Sequence, residues 1–201
     1  MGGYYLMFWL FVAFLSSMYE WYDLSKKTGY YVELMIFGFV YMVLSYASFL
    51  ALREVFSMQI LLLFLGMIWL SDIGAYITGK TFGGPKLIQK VSPNKTWSGF
   101  GGALLFPSLF AGVWIFFLGL HPFFDGNHQS VLILIGVVLG IVIGITGQAG
   151  DLLVSIIKRK ARVKDTGRLI PGHGGILDRI DSMLLGAPVF FILITLLTHV
   201  F

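Results

Sequence analysis

Six long apolar segments constrain this chain more than any other feature of its sequence. They lie near residues 3–19, 31–52, 56–78, 99–120, 131–150 and 180–200. Each is close to the roughly 20 residues that a helix needs to cross the hydrocarbon core of a bilayer. Only 12% of the residues are charged, which excludes an ordinary soluble globule. We therefore expect an all-α, polytopic membrane helix bundle of about six transmembrane helices, forming a single domain over residues 1–201.

The positive charges indicate how such a bundle is oriented. If six spans alternate, Arg53 falls on one side of the membrane and every other Lys and Arg falls on the opposite side. Cytoplasmic loops of membrane proteins carry an excess of these residues, so the basic side is predicted to be cytoplasmic, with both termini outside. A compact chain of this topology fits a bacterial plasma membrane.

One segment, Gly147 to Asp181, gathers aspartates around the densest positive charge in the sequence. The basic residues are Lys158, Arg159, Lys160, Arg162, Lys164 and Arg168. Such a run attracts a polyphosphate or a lipid headgroup, although it also occurs as the plain cytoplasmic flank of a membrane helix. Asp178 and Asp181 are three residues apart, so on a helix they share one face. With Asp151 they form a carboxylate set that suits Mg²⁺, and the absence of cysteine excludes thiolate ligands.

A glycine-rich turn separates the basic run from the acidic pair. Pro171 to Gly175 reads PGHGG, and its glycines let the backbone approach a ligand closely just before a helix begins. His173 has two interpretations, a hydrogen-bonded loop residue or a direct catalytic group.

A second charged segment, 72–102, opens near the end of the third apolar run. Asp72 is costly in lipid and is a functional candidate for that reason. It is alternatively an aspartate at the water interface, or one paired with a lysine in the bundle. Lys95 is suited to meet a nucleotide phosphate, and the hydroxyls of Ser92 and Thr96 add donors.

These two segments resemble one known family. The residues in its order and spacing are Ser155, Lys158, Arg159, Lys164, Asp165, Gly167, His173, Gly174, Gly175, Asp178, Arg179 and Asp181, and earlier Asp72, Ala75, Tyr76, Gly79, Ser92, Pro93, Lys95, Thr96 and Gly99. They are similar to the signature of the phosphatidate cytidylyltransferases, also called CDP-diacylglycerol synthases. The chain departs from that family at two positions, where Val154 and Ser98 replace the usual glutamates.

The resemblance implies an integral membrane enzyme, a metal-dependent nucleotidyltransferase that joins CTP to phosphatidic acid and releases pyrophosphate. It implies Mg²⁺ as cofactor, as one or two cations held by Asp151, Asp178 and Asp181. The expected catalytic residues are Asp151, Asp178, Asp181, Lys158 and Arg159. The expected substrate-binding residues are Lys95, Ser92, Thr96, Ser155, Lys164, Asp165, His173, Gly174, Gly175, Arg179 and Asp72. CTP, phosphatidic acid and membrane lipid are the expected partners, no nucleic acid is expected, and the oligomeric state stays open between monomer and homodimer.

Two other functions compete with this interpretation. A CTP-dependent polyprenol or lipid kinase would also need a membrane, a metal and basic loops, but it would transfer the γ-phosphate. A transporter could also place charges among six spans. We expect a transporter to show inverted repeats, which this sequence lacks, and not to concentrate aspartates, lysines and glycines in two loops on one face.

Overall fold

The computed structural model describes residues 2–118, 129–167, 169 and 174–200. Its helices are α1 (Gly2–Lys26), α2 (Tyr31–Ala51), α3 (Met58–Phe82), α4 (Trp97–Leu118), α5 (Gln129–Lys160) and α6 (Leu177–Val200). A π-helical turn, Leu52–Phe56, joins α2 to α3, and a hairpin of β1 (Lys86–Ile88) and β2 (Ser92–Thr96) joins α3 to α4. Each predicted apolar segment falls mainly on one helix, which confirms the expected all-α bundle.

Helices α2 to α6 are each long and apolar enough, by length and composition, to cross a membrane, within the part of the chain that the structure describes. The protein is therefore a multi-pass membrane protein. Large apolar side chains such as Trp69, Phe116 and Leu196 stay exposed on the outside of the bundle, where a bilayer would cover them. Helix α1, the first of the six expected spans, is not among these five. Its last two turns bury Glu20 together with Trp21 and Leu24.

Close backbone contacts fix the order in which the helices pack. Gly74 of α3 faces the carbonyl oxygen of Gly102 in α4, and Gly140 of α5 lies against the backbone of Ser108 in α4. A Cβ at Gly150 of α5 would sit 2.5 Å from the Asp181 carbonyl oxygen of α6, so glycine is required for this approach. Consecutive helices therefore run antiparallel, and the ends of α1, α3 and α5 lie on the same side as the starts of α2, α4 and α6.

Two apolar clusters hold the bundle together. The larger one joins α3, α4, α5 and α6, with Phe64 and Phe190 stacked at a ring separation of 5.3 Å. The smaller one lies at the ends of the helices and packs Trp21 of α1 near Val154 of α5 and Leu177 of α6. This second cluster supports the segments that carry the charged residues.

The hairpin between α3 and α4 differs from the loop that the sequence predicted. Strands β1 and β2 pair antiparallel, with Lys86 opposite Thr96 and Ile88 opposite Ser92. The strands are short and β2 contains Pro93, so the apolar alternation that marks a strand is missing. The pairing follows instead from the tight turn, in which the Val91 N–H donates to the Ile88 carbonyl oxygen at 3.2 Å.

Candidate active site

A cleft of about 540 Å³ opens between the hairpin, the end of α3, the start of α4 and α5. We call it the hairpin cleft. Its charged and polar lining includes Asp72, Lys80, Lys95, Gln148 and Asp151. The hairpin carries Lys95 across the cleft toward Asp151 of α5. The sequence could not show this contact, because the two residues lie far apart along the chain. The predicted Asp72, Lys95 and Asp151 therefore meet in one place.

A polar network links the two sides of the hairpin cleft. The Lys95 Nζ lies 2.7 Å from Asp151 Oδ2 and donates to Gln148 Oε1 at 2.8 Å. The Gln148 Nε2 in turn lies 3.5 Å from Asp72 Oδ1. Gln148 is buried, and its amide joins an ammonium group to a carboxylate. Lys95 is thereby held in the cleft by two partners, with its ammonium group available to an anion.

Asp181 brings a third carboxylate close to this network. It is buried in the first turns of α6, and its Oδ1 accepts the Ser182 N–H at 2.8 Å. The Ser182 hydroxyl, next to Asp181 in the chain, reaches Asp72 Oδ2 at 3.4 Å, and the Asp181 backbone carbonyl packs against Gly150, which precedes Asp151. Among the described residues, no three His, Cys, Asp or Glu side chains converge closely enough to hold a metal ion as they stand.

Asp178 is engaged differently from its two predicted companions. Its Oδ1 accepts from Lys158 Nζ at 2.7 Å, and the two side chains are only 12% and 11% exposed. Its Oδ2 accepts the backbone N–H groups of Thr166 and Gly175 at 2.8 and 3.1 Å. Both oxygens are therefore occupied, and Asp178 and Lys158 anchor the segment between α5 and α6.

A second cavity, of about 640 Å³, lies between the end of α1 and residues 163–167 with Leu169. We call it the α1 cavity. The predicted Lys164 and Asp165 line it, whereas Lys95 and Asp151 line the hairpin cleft. Acidic and basic side chains are mixed in the α1 cavity, with Asp23 and Lys27 forming an exposed ion pair at its edge. Because Lys95 meets Asp72 and Asp151 there, the hairpin cleft is the candidate active site, although the α1 cavity is larger.

Other predicted residues frame the site. Arg159 donates from Nε to the Val91 carbonyl oxygen at 3.1 Å and from Nη1 to the Val163 carbonyl oxygen at 3.3 Å. It therefore fastens the hairpin to the end of α5. Ser155 is buried and donates to Asp151 Oδ1 at 3.2 Å.

The glycine-rich turn is described only from Gly174 onward. Gly174 has φ of +85°, a conformation that side chains rarely adopt, and a Cβ there would lie 3.0 Å from Asp178 Oδ2. Gly175 donates its N–H to Asp178, and Arg179 is exposed on the first turn of α6. His173 lies outside the described residues, so its predicted role stays a prediction.

The two predicted hydroxyl donors of β2 have different environments. The Thr96 Oγ1 accepts the Gly99 N–H at 3.1 Å and lies 3.0 Å from Ser98 Oγ. It therefore caps the N-terminus of α4. Ser92 stands at the start of β2 and is not among the described residues that line the hairpin cleft.

The two departures from the family pattern have local explanations. Val154 is completely buried in the apolar cluster that contains Trp21 and Leu177, where an unpaired carboxylate would be unfavourable. Ser98 donates to the Gly83 carbonyl oxygen, so it ties the start of α4 to the end of α3. Neither position offers a carboxylate to the hairpin cleft.

Two residues of this region were missed by sequence reasoning. Gln148 lies in an apolar, glycine-rich span, and it was given no role in the sequence analysis. A polar amide inside such a span usually faces the bundle interior or a functional site, so its position could have marked it as a candidate. Glu20 lies just beyond the first apolar segment, 3–19, and it too was assigned no role from the sequence. Both are buried and hydrogen-bonded.

The arrangement combines fixed positive charge with carboxylates near the membrane surface. Lys95 can neutralise a phosphate, and Asp72, Asp151 and Asp181 repel one another unless a cation or proton lies near them. Phosphoryl-type transfers depend on this kind of positioning and charge stabilisation.

Sequence comparison relates the chain to known proteins. A sequence model described as the cytidylyltransferase family matches residues 1–197. A phosphatidate cytidylyltransferase of Rickettsia bellii is 36% identical over 188 residues, which covers 94% of this chain and 78% of that protein. The Rickettsia typhi protein of the same name is 36% identical over 184 residues, which covers 88% of this chain and 75% of that protein. The Staphylococcus aureus protein of the same name is 47% identical over 128 residues, which covers 64% of this chain and 46% of that protein. The chain belongs to the cytidylyltransferase family.

Proposed function

We propose that this protein is a phosphatidate cytidylyltransferase that converts CTP and phosphatidic acid into CDP-diacylglycerol and pyrophosphate. The observation that carries the proposal is the hairpin cleft, in which Lys95 is held between Asp151 and Gln148 beside Asp72. The names of its relatives support the substrates, and the helical bundle supports a lipid substrate that reaches the site from the bilayer.

In the proposed reaction, an oxygen of the lipid phosphate attacks the α-phosphorus of CTP. A new P–O bond forms there while the bond from the α-phosphorus to the bridging oxygen breaks, and pyrophosphate leaves with that electron pair. Lys95 neutralises charge on the triphosphate, which lowers the repulsion between two anionic reactants. The lipid phosphate is already a nucleophile, so no general base is required.

The donor set fits Mg²⁺. The available ligands near the cleft are carboxylate oxygens, and Mg²⁺ commonly uses one or two carboxylates together with waters and substrate phosphates. Asp151 and Asp181 would hold it, with Asp72 beside them, and the ion would supply charge neutralisation to phosphate oxygens. Asp178, included in the sequence-based set, is only 12% exposed and accepts from Lys158 and from two backbone N–H groups. Asp151 is 30% exposed and lines the cleft. We therefore assign Asp178 to anchoring the start of α6 rather than to the metal.

The active site is further proposed to face the cytoplasm of a bacterial plasma membrane. The basic residues of the described loops lie on the same side as the hairpin cleft, and that side is cytoplasmic under the positive-inside rule. CTP is made in the cytoplasm, so this orientation supplies the substrate.

The reaction is tested with purified protein in detergent micelles containing phosphatidic acid, Mg²⁺ and CTP labelled at either the α- or the γ-phosphate. We expect α-label in the lipid product and γ-label in pyrophosphate, with loss of transfer on chelation of the metal. Asp181→Asn should lose transfer, whereas Glu33→Gln, which removes an exposed carboxylate at the start of α2, should retain it. Entry of γ-label into lipid would instead identify a lipid kinase, and no transfer of either label by a folded protein would contradict the proposal.

A further inference from the structure

Glu20 is a buried carboxylate on α1 that the proposed reaction does not use. Glu20 is only 1% exposed to solvent. Its Oε1 accepts the Ile176 N–H at 2.9 Å, and its Oε2 accepts the Leu177 N–H at 2.9 Å. These N–H groups belong to the start of α6, where a helix has no backbone partners for its first donors and favours a negative charge. A residue of the first helix therefore caps the last one.

The same carboxylate also contacts the segment that follows α5. The Thr166 hydroxyl lies 2.9 Å from Glu20 Oε2 and 3.0 Å from Asp178 Oδ2. A hydroxyl has one hydrogen to donate, so the two carboxylates share this donor. The Thr166 N–H also donates to Asp178. Glu20 and Asp178 therefore both hold Thr166 in place.

Two glycines leave the space that Glu20 occupies. A Cβ at Gly167 would lie 2.7 Å from Glu20 Oε1, and its three nearest atoms would all belong to Glu20. A Cβ at Gly175 would lie 2.3 Å from Glu20 Oε2. Any larger residue at either position would displace the Glu20 carboxylate or the segment. The sequence around the turn is thus matched to a residue more than 140 positions away.

The first turns of α6 carry both Asp178 and Asp181, so whatever fixes this helix end also fixes these two carboxylates. We propose that Glu20 is a positioning residue for cytidylyl transfer. It holds the start of α6 and the segment 163–167 so that Asp181 faces Asp151 and Lys158 stays paired with Asp178. This inference rests on the proposed function, since it concerns the geometry of the same site.

Kinetics and amide hydrogen exchange test the role together, using Glu20→Gln, Glu20→Ala and the control Asp23→Asn. The control removes a carboxylate one turn further along α1, from an exposed ion pair that also borders the α1 cavity. Glu20→Gln keeps the shape and one acceptor oxygen, so we expect kcat to fall by about tenfold. Glu20→Ala should lower kcat by roughly 100-fold, the scale expected for catalytic groups displaced by about 1 Å.

The Michaelis constant for CTP should change little in these variants, because Lys95 and Gln148 are untouched. The amides of residues 174–180 should exchange faster in Glu20→Ala, less so in Glu20→Gln, and at the parent rate in Asp23→Asn. A simple loss of folding would instead raise exchange throughout the bundle. Normal kcat and normal exchange at the start of α6 in Glu20→Ala would overturn the proposal.

Gly167→Ala tests the same contact with Glu20 retained, so it stays decisive even if Glu20→Ala is poorly folded, and the two changes together form a double-mutant cycle. Gly167→Ala alone should lower kcat and speed exchange at 174–180, because its methyl group displaces the Glu20 carboxylate. In the Glu20→Ala background the same change should have little further effect, since the clashing atoms are gone. Independent, multiplying effects would contradict the inference. If the parent protein transfers no cytidylyl group, the proposed function fails, while the exchange measurements still decide whether Glu20 holds α6.

Discussion

The ion pair between Lys158 and Asp178 joins α5 to the start of α6, beside the candidate active site. Its two side chains are nearly buried, and removing one partner leaves an uncompensated charge away from water. We expect Lys158→Ala to lower the free energy of unfolding by about 3 kcal/mol. Thermal unfolding in detergent measures this loss.

The exposed pair of Lys27 and Asp23 provides a matched control for that experiment. Its side chains are 43% and 47% exposed, and ion pairs of this kind contribute about 1 kcal/mol or less. Lys27→Ala should therefore leave the midpoint of unfolding almost unchanged. Equal, small effects of the two substitutions would show that Lys158 is not buried as the structure indicates.

Gln148 carries the second residue-scale prediction. Its amide accepts from Lys95 and lies near Asp72, so Gln148→Met removes a charge-assisted hydrogen bond while keeping most of the volume. We expect kcat/KM for CTP to fall by about tenfold, the effect of one such bond, with a smaller change in stability. Gln89→Met, in the exposed hairpin turn, is the control. Parental activity in Gln148→Met would mean that Lys95 needs no partner besides Asp151.

At the residue scale, sequence reasoning found side chains with visible chemistry and missed those whose role depends on tertiary contacts. Lys95, Asp72 and Asp151 were named as candidates, and they do meet in the hairpin cleft. Glu20 was missed because its partners at Ile176 and Leu177 are backbone N–H groups, which leave no mark in the sequence. The sequence also could not separate Asp178 from the other two aspartates proposed as metal ligands. Only the structure shows that Asp178 is paired with Lys158.

At the scale of the elements, the end of α5 makes a prediction about stability. Helix α5 ends at Lys160, and Arg162 follows with φ of 57°. The Val163 N–H donates to the Lys158 carbonyl oxygen at 3.0 Å, which is the hydrogen bond of a Schellman motif. Glycine normally occupies the position of Arg162 in this motif. Arg162→Gly should therefore raise the free energy of unfolding by about 1 kcal/mol, by relieving the left-handed strain.

A substitution that increases the backbone strain at Arg162 should change the stability in the opposite direction. Arg162→Val places a β-branched side chain in the same conformation and should lower the unfolding midpoint, although Arg162 is exposed. If both variants shifted the midpoint in the same direction, the change in charge rather than the backbone conformation would dominate.

The helices were predictable as elements, but their ends were not. The fifth span was expected to end near residue 150, yet α5 continues to Lys160 and carries Asp151, Ser155 and Lys158. Hydropathy stops at the membrane surface, whereas the helix continues because Val154 and Ile157 pack into the cluster around Trp21. The hairpin was missed for a related reason. Its strands are held by one another and by Arg159, and their sequence has no strand periodicity.

For the whole molecule, orientation in the membrane is the property that links the fold to its proposed substrates. The hairpin turn at Gln89 and the π-helical turn at Glu54 lie at opposite ends of α3. Because α3 has 25 residues, the helix between these turns is about 37 Å long at 1.5 Å per residue, enough to cross a bilayer. The predicted orientation places Gln89 in the cytoplasm and Glu54 outside.

The absence of cysteine allows each side to be marked with a single introduced thiol. Glu54→Cys should react with a membrane-impermeant maleimide in bacterial spheroplasts. Gln89→Cys should react only after the membrane is permeabilised, because positive loops are retained inside. Gly29→Cys, between α1 and α2 with open space around its Cβ position, should behave like Gln89→Cys and tests whether α2 crosses the membrane. Labelling of Gln89→Cys in intact spheroplasts, with Glu54→Cys protected, would place the hairpin cleft outside, where CTP is not supplied, and would contradict the proposed orientation.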